Sequence, residues 1–129
     1  MIKGLSSRAD SNLIGFIRYS ISSGAITIEE VHKWVYYMIK KHDQLPPYMY
    51  YLMEVSNMAD FEKTVGFPSY ADLTNDESKA LNGLSYVRGI SKEDGEFNIS
   101  KKAALNALKR NPQVIERFKE TFPFIDLPE

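Results

Sequence analysis

"TIEEVHKWVYYMIKKH", residues 27–42, decides the fold class. Thr27 stands three residues before Glu30. At that spacing a threonine hydroxyl accepts the N3 amide while the glutamate reaches back to the cap amide. Behind this capping box Val31, Trp34, Val35 and Met38 recur at i, i+3, i+4 and i+7, one face of an α-helix, with Ile28 and Ile39 flanking it. Lys40, Lys41 and His42 fall in the last turn, where cations suit the negative end of the helix dipole.

The same grammar extends in both directions. Upstream, residues 9–22 predict a helix with Leu13, Ile14, Ile17 and Ile21 on its stripe and Gly24 as its stop. Downstream, Leu45-Pro46-Pro47 makes a corner, since proline suits the first helical position. A third helix is expected over about 47–56, with Tyr48, Tyr51, Leu52 and Val55 at helical spacing. A fourth, short segment presents Phe61 and Val65 and stops at Gly66, followed by the connector "GFPSYADL".

A second capping box, Thr74 to Glu77, opens a fifth helix to about Arg88, with Ala80, Leu81, Leu84 and Val87 as its stripe and Gly89 at C′. "ISKEDGEFNI" reads as a loop, and a small β-hairpin around 90–99 is the alternative that its Asp94-Gly95 turn signal allows. Ser100 then caps "KKAALNALKR". Asn111-Pro112 opens a last helix carrying Val114, Ile115, Phe118 and Phe122. The expectation is an all-α protein, a single helical domain over residues 1–129 with six to seven mostly short helices.

Composition agrees. A hydrophobic share of 43% beside 26% charged residues is globular, and a chain of 129 residues is long enough to build a core without staples. Cysteine is absent, which excludes disulfides and thiolate metal sites and fits a reducing cytoplasm. The N-terminal apolar run "LIGFI" is five residues long and is followed at once by Arg18, so neither a signal peptide nor a membrane span is expected.

The chemistry of an enzyme is not written here. His32 and His42 are ten residues apart with no carboxylate at ligand spacing, so no metal site is expected. His32 reads as a surface residue and His42 as a helix C-terminal cation. The glycines stand singly, read as marking helix ends and turns, and no phosphate-cradling loop occurs. No Ser–His–acid constellation is visible. The expectation is a binding protein with no catalytic residues and no cofactor.

Binding residues are nominated by charge and helical phase. With the Trp34 stripe at the centre of the buried face, Tyr36 lies almost opposite it, beside Lys33 and Lys40, and Tyr37 lies on the flank. On the third helix Tyr48 and Tyr51 share the apolar stripe, while Tyr50 falls beside Glu54 and Asn57. Trp34, Tyr48 and Tyr51 are therefore assigned to the core, and Tyr36 and Tyr50 to the surface as candidate anchors.

Residues 43–98 hold ten acidic and four basic side chains, between two basic ends. Glu77 has its place in the capping box, and Asp76 favours the helix N-terminus. Asp72, Glu93, Asp94 and Glu96 have no local duty visible in sequence. They are candidates for docking a basic partner, the plainer reading being a solvated loop. The alternative function is a helix-turn-helix-type DNA-binding regulator using the basic C-terminal helices through Lys101, Lys102, Lys109 and Arg110, against which stands the acidic centre.

Three stretches, "GAITIEEVHKWVYYMI" (24–39), "LPPYMYYLME" (45–54) and "LTNDESKALNGLSYVRGI" (73–90), together resemble the small all-helical immunity proteins of bacterial contact-dependent growth inhibition and related polymorphic toxin systems. Members of that group are associated with EndoU-type nuclease toxins. The resemblance implies a cytoplasmic bacterial protein without an active site, which binds its cognate toxin domain and blocks the active site or substrate access. It implies no direct contact with nucleic acid or membrane. A ribonuclease must attract phosphate, so its cleft is positive. Asp72, Glu93, Asp94 and Glu96, with Tyr36 and Tyr50 as anchors, are the residues that charge and phase offer to such a cleft.

Overall fold

Both capping boxes form in the computed structural model, which describes residues 2–128. The protein is all-α, with seven α-helices and two 3-10 turns, and no strand occurs among the described residues. The chain folds as two compact units, Met1–Ser22 with Thr27–Asp72 and Ser23–Ile26 with Leu73–Glu129.

The first unit holds α1 (Asn12–Ser22), α2 (Ile28–Lys41), α3 (Tyr48–Tyr51) with the 3-10 turn Leu52–Glu54 that continues it, and α4 (Met58–Val65). On α2 the buried side chains are Val31, Trp34, Val35 and Met38, the stripe read from the sequence. His32 departs from its plain surface assignment. It is half-buried, and its Nε2 lies 2.8 Å from the Val55 carbonyl oxygen, tying α2 to the residue that follows the 3-10 turn.

α1 buries Ile14, Phe16 and Ile17, with Leu13 and Ile21 only half-covered. The connector after α4 lies directly on it. A β-carbon at Gly15 would stand 2.4 Å from the Tyr70 carbonyl carbon and 2.6 Å from the Ala71 nitrogen. Three polar ties hold it there: Ser11 Oγ accepts the Tyr70 amide at 2.9 Å, Arg18 Nε donates to the Ser69 carbonyl at 3.0 Å, and Asn12 Oδ1 accepts the Asp72 amide at 2.9 Å. Asn57 caps α4 through the Asp60 amide, and Gly66 ends it in the left-handed conformation at φ 84°.

The third helix differs from expectation. Only one α-turn forms before the chain tightens into a 3-10 turn, where three residues per turn put i, i+3 and i+6 on one face. The buried set follows that period: Met49, Leu52 and Val55. Tyr51 therefore turns outward and is 65% exposed, where a continuous α-helix would have buried it. Tyr48 is half-buried. Its hydroxyl donates to the Leu5 carbonyl, and its ring meets Phe67 edge-on at 5.8 Å. Burial, and secondarily Asp10, push the Tyr48 pKa up, so the hydroxyl stays a donor.

The second unit holds α5 (Asn75–Val87), the 3-10 turn Glu96–Asn98, α6 (Lys101–Arg110) and α7 (Pro112–Thr121). α5 and α6 approach closely at Gly83, where a β-carbon would lie 2.6 Å from the Ala104 carbonyl oxygen. Gly15 and Gly83 thus sit inside helices, not at their ends, and what they allow is close approach of backbone to backbone. On α5 Tyr86 is buried and Val87 exposed, the reverse of the expected stripe. The Tyr86 hydroxyl explains this. It accepts the Gly95 amide at 3.2 Å and lies 3.0 Å from the Ile99 carbonyl oxygen and 3.3 Å from that of Glu93, serving as the hub of the loop that follows.

That loop is no hairpin. Residues 96–98 form a 3-10 turn in which Phe97 and Asn98 take positive φ (59° and 61°), and no strand or β-bridge occurs over 90–99. Beyond it Ser100 caps α6 through the Ala103 amide, and α7 buries Val114 and Phe118, with Phe122 also buried and 4.9 Å from Phe118 between ring centres.

Candidate binding surface

Tyr50 (46% exposed), Tyr51 (65%) and Met53 (39%) fall within four residues of the first unit. Their exposure follows from the backbone. Pro46-Pro47 starts a helix of a single turn, the 3-10 turn continues it, and only every third side chain is buried. The segment is nonetheless held firmly, by Met49 and Leu52 in the core and the Tyr48 hydroxyl on Leu5.

A groove runs alongside, lined by Tyr48, Tyr51, Glu54, Val55, Asp60, Lys63 and Thr64. One wall is the Tyr48, Tyr51, Glu54 row, at 3-10 spacing. The other is the Asp60, Lys63, Thr64 face of α4, at i, i+3 and i+4. Asp60 also braces the approach to α4, its Oδ2 lying 3.4 Å from the Ser56 amide and 3.3 Å from the Ser56 hydroxyl.

Tyr36 is 56% exposed on α2, with Lys40 Nζ 5.2 Å from its ring centre, so Tyr36 and Tyr50 both stand at the surface of the first unit as phase required. Asp72 closes the same unit and is exposed. Glu93, Asp94 and Glu96 share the loop of the second unit, and two of them have local duties that the sequence did not show. Glu96 Oε1 accepts the Lys92 and Glu93 amides, each at 2.8 Å, and these backbone bonds hold its carboxyl below the usual range. Asp94 Oδ1 accepts the Lys101 amide at 2.7 Å, satisfying an amide at the start of α6.

Asp76 does more than favour a helix dipole. It takes the Arg110 guanidinium with both oxygens, at 2.7 and 3.1 Å, and accepts Asn111 Nδ2 at 2.7 Å. Arg110, then Asn111, pull its pKa down to about 2. Arg110 is thereby engaged within the protein, while Lys101, Lys102 and Lys109 are exposed. The α6–α7 junction is Asn111-Pro112 with no intervening turn of several residues.

Among the described residues no group of three or more His, Asp or Glu side chains is placed to hold a metal ion, and no helix is long and apolar enough to cross a membrane. Beside the groove, Tyr51 and Met53 are surface residues that sequence phase missed. The signal available for them was the Met49, Leu52, Val55 spacing of three behind a double proline. Comparison with family models, curated proteins and solved structures gives no match.

Proposed function

We propose that this chain is an immunity protein, which binds a cognate bacterial toxin domain, a basic nuclease, and blocks its active site or substrate access without chemistry of its own. The observation that carries the reading is that Tyr50, Tyr51 and Met53 are all exposed within four residues of chain. Scattered surface aromatics are ordinary, but adjacent large apolar side chains on a braced turn suit a protein interface. Tyrosine suits the purpose because it presents a wide, stiff contact area with a polar tip. A braced turn leaves less ordering to be done on association.

The three sequence stretches that resemble toxin-immunity proteins supply the identity of the partner in this reading. The acidic side chains then act mainly through their field. Asp94 and Glu96 each accept backbone amides through one oxygen, and with Asp72 and Glu93 they draw a positive nuclease towards the protein.

The test is a tagged pull-down from the native cell, with co-eluting proteins identified by mass spectrometry and the captured domain assayed for nuclease activity with and without this chain. A stoichiometric nuclease-like fragment that loses activity on addition of the chain supports the proposal. Recovery of nucleic acid, or of no partner when the effector is expressed, sinks it.

A further inference from the structure

We infer that the groove between Tyr51 and α4 receives an arginine side chain of the protein partner. The inference rests on the binding-face reading above and assigns the chemistry of one contact within it. The groove encloses about 640 Å³, ample for one long side chain. Its lining is amphipathic: aromatic surface from Tyr48 and Tyr51, apolar surface from Val55, and carboxylates from Glu54 and Asp60. Lys63 is the only cation among the described residues that line it, so two carboxylates against one ammonium leave a net charge of −1.

An apolar guest would strip water from Glu54 and Asp60 without replacing their hydrogen bonds. An anionic guest meets charge of its own sign. A guanidinium satisfies both halves of the lining, because its planar, weakly hydrated face stacks on tyrosine while its N–H fork meets a carboxylate. Lysine offers a compact, strongly hydrated charge that stacks less well. Tyr51, being 65% exposed, has ring surface open for the stack. Asp60 has an oxygen, Oδ1, that is not the one facing Ser56.

The probe is the peptide Ac-Gly-Arg-Gly-NH2, titrated into the isotope-labelled full chain and followed by amide chemical shifts, with the lysine and citrulline peptides as comparisons. Saturable shifts confined to residues 48–55 and 60–64 are expected with arginine, weaker by about two- to fivefold with lysine, and absent with citrulline, which keeps the shape and loses the charge. Glu54→Gln should weaken arginine binding and Lys63→Gln should strengthen it, since the groove charge moves to 0 in one and −2 in the other. A change that merely disturbed the fold would weaken both. Tyr51→Leu should keep the fold and lose about two- to fivefold in affinity through the missing ring face.

Equal response to arginine and citrulline, shifts centred elsewhere, or weaker binding in Lys63→Gln would each overturn the assignment. The pull-down decides the immunity reading and this titration decides the groove, so either can fail alone.

Discussion

Replacing Gly83 by alanine should destabilise the second unit, although alanine is the better helix former. Intrinsic propensity favours the change by about 1 kcal/mol. Packing opposes it. The new β-carbon would stand 2.6 Å from the Ala104 carbonyl oxygen, 2.9 Å from Leu108 Cβ and 3.2 Å from the Ala104 carbonyl carbon. Two of these atoms are backbone and cannot rotate aside, so α6 must move away from α5. A radial opening of about 0.5–1 Å forfeits a quarter to a half of each dispersion contact along the seam. Overpacking of this kind costs about 1–3 kcal/mol, and the backbone clash places Gly83 towards the upper end. The net loss is then about 1–2 kcal/mol after the propensity gain is subtracted.

Urea unfolding followed by far-UV circular dichroism is the suitable assay, because it reads the helices of the second unit themselves. With a mid-range slope of about 2 kcal/mol per molar urea, the midpoint should fall by roughly 0.5–1 M at unchanged slope. A midpoint equal to or above that of the parent would show that the α5 and α6 backbones do not meet at Gly83, and the close-approach argument would fail.

Three further outcomes are expected. Trp34→Ala should cost about 3–5 kcal/mol by opening the core under α2, whereas Tyr51→Ala should change stability by no more than about 0.5 kcal/mol. Comparable losses in the two variants would return Tyr51 to the core. Asp76 has a depressed folded pKa, so its contribution is complete above its ordinary value of 3.8 and is lost as pH falls through about 2. The gap in melting temperature between the parent and Asp76→Asn should therefore close over that interval, and a gap that persists at the acid end would mean that charge is not its source. Asp94→Ala should cost about 0.5–2 kcal/mol, as loss of a cap does, and a null effect in thermal denaturation would show that its bond to the Lys101 amide does not stabilise α6.

What the sequence made legible is what local chemistry controls. Thr27, Thr74, Asn57 and Ser100 all accept amides at the starts of their helices; Thr27 and Thr74 are legible from capping-box spacing and Ser100 from its place before a helical run. The α2 stripe was legible because fourteen residues of uninterrupted helix preserve one period. Tyr51 was not, because one α-turn passing into a 3-10 turn changes the period from 3.6 to 3.0 within a few residues. The α5 stripe was read one position late, at Val87 where Tyr86 is buried, because the Tyr86 hydroxyl partners, at Gly95 and Ile99, lie in a loop whose path no periodicity describes. The Asp76–Arg110 pair spans thirty-four residues, and nothing in either local context announces it. Gly15 and Gly83 did carry a signal, since a glycine inside a helix stripe is costly unless close packing requires it.

The misread Tyr51 bears on function more than any correct assignment does. A regular helix over residues 47–56 would bury Tyr51 with Tyr48, Leu52 and Val55 and leave Tyr50 alone outside, an exposure that needs no explanation. The chain instead shortens the helix, buries Met49, Leu52 and Val55, and sets Tyr50, Tyr51 and Met53 at the surface together. At 39–65% exposure each of these side chains forgoes part of the roughly 1.5–3 kcal/mol that full burial brings. In the proposed immunity function a partner covers them, and the remaining area is buried on association. In the arginine-groove proposal the carboxylates of Glu54 and Asp60 beside Tyr51 suit a cationic group, and the reversed effects expected for Glu54→Gln and Lys63→Gln are where that proposal is most exposed to refutation.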